Sequence, residues 1–276
     1  MYLERLKEEG LSEKTIRGYR YALKRAWMAL PTRPMPSRLT EFSITALSTT
    51  MASDPWLLRT LNVCLKAMGC RYALRFSIPP RSRVSWLDPH QANVVMDTAL
   101  GLGPPHSAVV HLELENGFRR ISVIRAQVGD FARTPIYVRG KGHDYTMWPH
   151  PRLAQVCQDT MAWRESMDFS ASTSLIPARS RRRHNSVGPY SERGIDGILQ
   201  RVATESGVSF SHHTLRRTFG RSLWKCGVPI ETVSEMLGHQ SIDQTRLYIG
   251  VNLSDMAEAM RKLSEYQAKP IVTVVK

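Results

Sequence analysis

The chain is short of several things, and each shortage removes a class of function. Its four cysteines, Cys64, Cys70, Cys157 and Cys226, show no Cys-x-x-Cys spacing. They read as small buried hydrophobes in a reducing compartment, without disulfides and without a zinc site. No carboxylate cluster and no His/Cys set with metal-ligand spacing stands out, so metal-dependent nuclease chemistry is not expected. No Walker loop occurs, which argues against ATP-driven work. No window approaches the ~18 apolar residues of a membrane span, and the start, MYLERLKEEG, is charged and helical where a secretory signal would be apolar. No internal repeat or long low-complexity tract is present. Acidic residues are also scarce: 38 Lys+Arg against 24 Asp+Glu leave a net charge of +14. That balance favours a polyanionic partner, nucleic acid before membrane. A soluble cytoplasmic protein associated with nucleoid DNA is the expectation.

What is present suits two domains, since 276 residues exceed one ordinary domain and 42% hydrophobic content can fill a core. The first ~80 residues read as helices. Ser12 is an N-cap, and Ile16, Tyr19, Leu23, Ala26, Trp27 and Leu30 follow at helical spacing. The opposite side carries Arg17, Arg20, Lys24 and Arg25, a face able to lie along phosphates. PTRPMPSR breaks the helix, LTEFSITALSTTM makes a weaker one, and Asp54-Pro55 opens a fourth. FSIPPRSRVSW, with Arg81 and Arg83, is the natural linker. The boundaries expected are a helical DNA-binding domain over 1–78, a linker over 79–86, a second domain over 87–268 and a tail over 269–276.

In the second domain Asp88-Pro89 opens a helix and SAVVHLELENG forms another that stops at Gly117. FRRISVIRAQVGDF is expected to be one helix with Ile121, Ile124 and Val128 inside. PIYVRGKGHDYTMWP carries two alternating runs around Gly140-Lys141-Gly142, a β-hairpin signal. Helix returns from Val156 to Met167. ARSRRRHNSVGPYS, with Arg181, Arg182 and Arg183, reads as a basic loop ordered by DNA. Ile195 to Ser206 is helical again.

The most informative stretch runs from Ser211 to Val251. His213 and Arg216 are three apart and so share a helix face. Gly227 stops that helix, a second begins at Ile230, and His239 follows Gly238 at its end. Tyr248 lies nine residues beyond His239. The order His213-Thr214-Leu215-Arg216, then Leu237-Gly238-His239, then Tyr248 resembles the C-terminal catalytic box of tyrosine recombinases of the phage-integrase type. The resemblance is strong over residues 105–265 and weaker over 1–80, where YLERLKEEGLSEKTIRGYRYAL looks like a SAM-like core-binding domain. It implies a mainly α (α+β) fold: that helical domain, then a mixed catalytic domain with a small β-sheet or hairpin.

The resemblance also implies roles. Gly117-Phe118-Arg119-Arg120 is similar to the motif of the first catalytic arginine, and its register favours Arg119 over Arg120. Lys141 matches the lysine that protonates the leaving 5′ oxygen. Three positions after Arg119, where the family usually has an acid, stands Ser122. The chemistry is coherent with these residue types. Guanidinium groups stay charged and fork onto phosphate, His213 and His239 supply a proton relay and a donor to a non-bridging oxygen, and Tyr248 attacks to store the bond energy as a phosphotyrosine. A phenol with pKa near ~10 needs help to ionise, which the surrounding positive charges are expected to give. His212 stands out of register, and His143 is at most a DNA-facing residue.

The reading is a site-specific recombinase or integrase of a virus or mobile element, without cofactor, metal or ATP. Its partner is double-stranded DNA, its working form a homotetramer on DNA (monomer or dimer when free), with accessory DNA-bending proteins as further partners. A chromosome-dimer resolvase, a type IB topoisomerase and a non-catalytic DNA-binding protein stay open beside it. Met256, Ala259, Met260 and Leu263 form an apolar stripe on a C-terminal helix, and KPIVTVVK has strand propensity.

Overall fold

A computed structural model describes residues 2–30, 36–75, 85–180, 186–250 and 253–267. The chain divides into two compact units, Met1–Ser82 and Arg83–Lys276. The N-terminal unit is helical: α1 (Tyr2–Glu8), α2 (Glu13–Ala29), a 3-10 turn at Pro36–Arg38, α3 (Glu41–Thr50) and α4 (Pro55–Ala67). Side-chain caps start three of these helices: Ser12 accepts from Thr15 N, Thr40 from Ser43 N and Asp54 from Leu57 N. The core gathers Ala22, Ala26, Leu47, Leu57, Leu58, Leu61 and Leu65. On α2 it is Ile16, Ala22, Ala26 and Leu30 that are buried, while Leu23 and Trp27 are only partly covered. Small Ala22 and Ala26 let α4 approach closely; the bulkier neighbours stay at the rim.

The second unit holds α5 (Pro89–Leu102), α6 (His106–Leu114), α7 (Arg120–Arg125), β1 (Ile136–Val138), β2 (Tyr145–Met147), α8 (Leu153–Ser166), β3 (Pro177–Ser180), β4 (Ser186–Pro189), α9 (Glu192–Ser206), α10 (His212–Lys225), α11 (Ile230–Met236), α12 (Ile242–Ile249) and α13 (Leu253–Gln267). Helix α6 is the axis: every residue from Ser107 to Leu114 is buried, and α5, α8, α9 and α10 surround it. Helix α5 begins with a full capping box between Asp88 and Gln91. Trp86, at the end of the expected linker, lies under the Arg221 guanidinium at 3.8 Å, and Leu87 N donates to Thr218 Oγ1 at 2.9 Å. Among the described residues no helix is long and apolar enough to cross a membrane.

Three local expectations need correction. FRRISVIRAQVGDF is not one helix: α7 ends at Arg125 and a 3-10 turn follows over Val128–Phe131. The chain turns extended at Ala126 because its carbonyl accepts from Leu175 N and Gln127 N donates to Asp130 Oδ2. Consequently Ser122 and Val123 are buried, and Ile121, Ile124 and Val128 are only partly so. ARSRRRHNSVGPYS is flanked by paired strands, β3 and β4, antiparallel with Ala178 opposite Gly188. Arg181, Arg182 and Arg183 lie outside the described residues, as do Arg81, Arg83 and the tail. The four cysteines are free, but Cys226 is exposed. Of the C-terminal apolar stripe, Met256 and Met260 are 56% and 65% exposed. Helix α13 is held instead by its polar side, through Asp255 bonded to Arg221 at 2.6 Å and to Lys225 at 2.8 Å. The side chain of Leu263 lies outside the described residues.

The other buried arginine of note, Arg164 on α8, has no acid beside it. It donates to the carbonyls of Phe169, Ser172, Ser174 and Leu175 and so closes the loop before β3. Gly117, between α6 and α7, has φ +64°, and a Cβ there would sit 2.3 Å from a ring carbon of Phe219. Gly117→Ala is therefore expected to lower stability by ~1–3 kcal/mol, as overpacked cores do. Equilibrium urea unfolding at 25 °C measures it; a midpoint equal to wild type would contradict the close approach.

Candidate active site

The site grows from the turn after α6. Its left-handed glycine turns the chain sharply and leaves the Gly117 carbonyl facing α10, while Arg119 takes the N-cap position of α7. Helix α10 starts at the Ser211 cap, which accepts from Thr214 N at 3.2 Å. One turn later comes Arg216, 2% exposed. Its guanidinium donates to Gly117 O and Leu237 O, tying the α6–α7 turn to the α11–α12 turn. Arg119 Nη2 donates to the next carbonyl, Gly238 O, at 2.8 Å. Two guanidinium groups are thus fixed side by side on backbone carbonyls, and among the described residues no carboxylate is bonded to either.

Gly238 is again left-handed, φ +54°, and a Cβ would meet the Tyr145 ring at 2.8 Å. That contact seats the β1–β2 hairpin against the His239 turn. His239 Nδ1 lies 2.8 Å from Thr245 Oγ1 on α12, and its ring meets Tyr248 edge-on at 5.2 Å. Tyr248 is half-buried, with His213 Nδ1 at 3.4 Å from its hydroxyl. The guanidinium carbons of Arg216 and Arg217 lie 5.9 and 5.2 Å from its ring centre. Arg119, His213, Arg216, His239 and Tyr248 are therefore one cluster. Lys141 is exposed beyond it at the hairpin tip. The loop's base is fixed: Arg125 donates to Gly140 O at 2.8 Å, Gly140 N to Asp144 at 2.9 Å, and Arg139 forks onto Asp130. Lys141 itself makes no hydrogen bond or ion pair among the described residues.

The electrostatics follow from burying positive charge on neutral carbonyl acceptors. Burial, then the charges of Arg216 and Arg119, hold the His239 imidazole down to about 4. Burial, then Arg217 and Arg216, lower that of His213 as well. Both rings are thus neutral at pH 7. Tyr248 departs from expectation: burial raises its phenol above the ordinary value, and the opposing pull of Arg216, Arg217 and Arg119 does not overcome it. The arginines alone do not ionise the tyrosine. A proton acceptor is needed, and the nitrogen of His213 is at hand.

Arg120 points elsewhere. It bonds Asp196 at 2.7 Å and Glu192 at 2.7 Å on α9, and Asp196 in turn meets His212 Nε2 at 2.9 Å. The other nitrogen of His212 meets Glu113, a fully buried carboxylate on α6, at 2.6 Å. Burial opposes charge on His212, but the bonds to Glu113 and Asp196 outweigh it and raise its pKa. Ser122 is buried, and its hydroxyl has no hydrogen-bond partner. Glu113 brings a buried carboxylate to the start of α10 from α6.

Sequence reasoning missed Arg217, Thr245, Glu113 and Asp196, and it set His212 aside as out of register. Of the four missed, Arg217 alone left a trace, being one turn from His213 on the same face. It also missed a set of metal-ligand residues, His111, Glu115 and His150, whose ligand atoms lie within 4.8 Å of one another. Arg17, Arg20 and Lys24 are exposed on α2, and Arg20 and Lys24 border an apolar depression with Trp27 and Met68.

Residues 85–254 match the model of the phage integrase family, and the chain belongs to that family. The tyrosine recombinase XerC of Oceanobacillus iheyensis is 29% identical over 176 residues, 61% of this chain and 56% of that protein. The chain spans about half the length of the curated relatives it matches. Among solved structures it resembles a lambda integrase tetramer bound to a Holliday junction, with TM-score 0.67 and 20% identity over 91% of this chain and 76% of that one. It also resembles the Tn1549 transposon integrase in complex with transposon right end DNA, with TM-score 0.69 and 15% identity over 95% of this chain and 98% of that one.

Because the His212 pKa is raised by folding, its pairing stabilises the fold fully below the unfolded value of ~6.5 and less as pH climbs through the folded value. The gap in unfolding midpoint between wild type and His212→Gln is thus expected to be widest near pH ~6 and to narrow steadily towards pH ~9. A gap independent of pH would show that His212 carries no extra proton in the folded state.

Proposed function

We propose that this member of the phage integrase family cleaves and rejoins double-stranded DNA at specific sites through a 3′-phosphotyrosine. The observation that carries the reading is the pair Arg119 and Arg216, held on carbonyl oxygens beside Tyr248. Such a pair retains N–H donors and full positive charge for an anion. A scissile phosphate is an anion of the right shape, since its two non-bridging oxygens can take two guanidinium groups at once.

In this mechanism Tyr248 attacks phosphorus and passes its proton to His213. The phosphorus–5′ oxygen bond breaks, and Lys141, carried in by the hairpin tip, protonates the leaving oxygen. With Thr245 donating to Nδ1, neutral His239 keeps its proton on Nε2 and donates to a non-bridging oxygen. The two arginines hold the charge that grows on the phosphorane, the largest single contribution in sites of this kind. The phosphodiester energy stays in the tyrosine ester, so a 5′ hydroxyl from a partner duplex can reverse the step without ATP. Metal takes no part at the phosphate.

Arg17, Arg20 and Lys24, with the arginines of 81–83 and 181–183, would lie along the DNA backbone. The homotetramer on DNA draws support from the tetrameric lambda integrase, and the integrase reading, with a viral or mobile-element source, from that protein and the Tn1549 enzyme. The likeness to XerC favours a second reading, a resolvase of chromosome dimers. The helical unit over 1–78 would bind DNA in its own right.

Denaturing capture of covalent complexes with genomic DNA of the source, without added divalent ions or ATP, tests the proposal. The expected result is an adduct at Tyr248 confined to one short sequence, absent in Tyr248→Phe. The flanking sequence separates a mobile-element end from a chromosomal resolution site. Scattered adducts with relaxation activity would make the protein a topoisomerase, and binding without adducts a non-catalytic DNA-binding protein. Arg119→Ala is expected to slow adduct formation by ~10²-fold or more while leaving the circular-dichroism spectrum unchanged; a rate near wild type would remove Arg119 from the chemistry.

A further inference from the structure

His111 is the one fully buried histidine among the described residues, and neither of its ring nitrogens makes a directed hydrogen bond. Leaving buried polar atoms in that state costs free energy unless something else takes their lone pairs. Its Nδ1 lies 2.6 Å from Glu115 Oε2, four residues on along α6 and into its cap. That oxygen is itself buried without a hydrogen-bond partner. A second histidine completes the group: His150 Nδ1 lies 3.3 Å from the same oxygen, and the two rings are 5.8 Å apart, edge to face.

We propose that His111, Glu115 and His150 form a site for a late first-row divalent cation, zinc above all. Two imidazoles and one carboxylate are a donor set for zinc, whereas calcium and magnesium take oxygen alone. The spacing is of the right kind. Two ligands each ~2.0–2.1 Å from a tetrahedral ion are about 3.3 Å apart, the distance from His150 to Glu115. The shorter approach of His111 is that of an ion pair, and a metal entering between the two would widen it. Glu115 binds through Oε2 only, because Arg152 holds Oε1 at 3.1 Å. His150 Nδ1 also receives Arg152 N at 3.3 Å, a contact the metal would displace.

The surroundings are built to keep these groups in place. Asn116 Oδ1 accepts from His150 N at 2.8 Å, and its Nδ2 donates to His111 O at 3.2 Å. One side is closed by α6, and Glu115 and His150 leave a narrow solvent edge where a water can serve as fourth ligand. The ion would be structural. It would staple the end of α6, two residues before Gly117, to the segment that follows the β1–β2 hairpin.

The test uses the full chain, free of any histidine tag and stripped with a chelator that is then removed. Zinc is titrated against a chromophoric competitor, and metal content is read after gel filtration. The expected result is one zinc per chain, with a cobalt(II) absorption typical of a four-coordinate site. His150→Ala, on a partly exposed loop, and Glu115→Gln, which keeps volume, are each expected to weaken binding by at least ~10-fold, as losing a ligand does where second-sphere changes alone reach 10–100-fold. Stripped wild-type protein that is folded and binds no zinc stoichiometrically would overturn the site. So would stoichiometric binding that survives both substitutions.

Discussion

The second unit depends on one guanidinium. Arg216 leaves α10 inside the protein and donates to two carbonyls that no other element brings together, those of Gly117 and Leu237. An arginine so buried ordinarily pairs with an acid. Here the acceptors are neutral, and the turns before α7 and before α12 are tied to one side chain. Both carbonyls are available because Gly117 and Gly238 turn the chain through left-handed conformations. The buried ring of Phe219 and the ring of Tyr145 fill the space a side chain would need. Arg119, on the neighbouring carbonyl, follows from the same arrangement.

Burial and that excess of positive charge together govern protonation nearby. Burial first, then the arginines, keep His213 and His239 neutral; the arginines draw the Tyr248 phenol down, yet its burial still prevails. The resting site is thus chemically quiet. Its positive charge, held on neutral carbonyls, leaves the site incomplete in the electrostatic sense without an anion.

Much of this was legible in the sequence, and for a local reason. The Ser211 cap, the glycines at 227 and 238 and the Ser241 cap delimit α10, α11 and α12, so the intervals between His213, Arg216, His239 and Tyr248 translate into helix faces and turns. The hairpin around Lys141 was legible through its alternation and glycines. What failed was tertiary. The helix expected through Gln127 is ended by a bridge to Ser174, forty-seven residues later, and by Leu175 N on the Ala126 carbonyl. Strands β3 and β4 have too little apolar alternation to be seen before they pair. Glu113 and His111 looked like polar interruptions in an apolar run, because their partners come from 99 and 39 positions away. The direction of the Tyr248 shift was misjudged because charge can be counted in a sequence and burial cannot.

Arg221 has a consequence of a mechanical kind. One face of its guanidinium holds the carbonyls of Ile249 and Gly250, at the end of the helix that carries Tyr248, and the other holds Asp255 at the start of α13. The helix of Tyr248 and the C-terminal helix therefore share one hinge pin. Helix α13, whose Met256 and Met260 lie bare to solvent, is thereby placed as a short lever arm on the end of the helix that carries Tyr248.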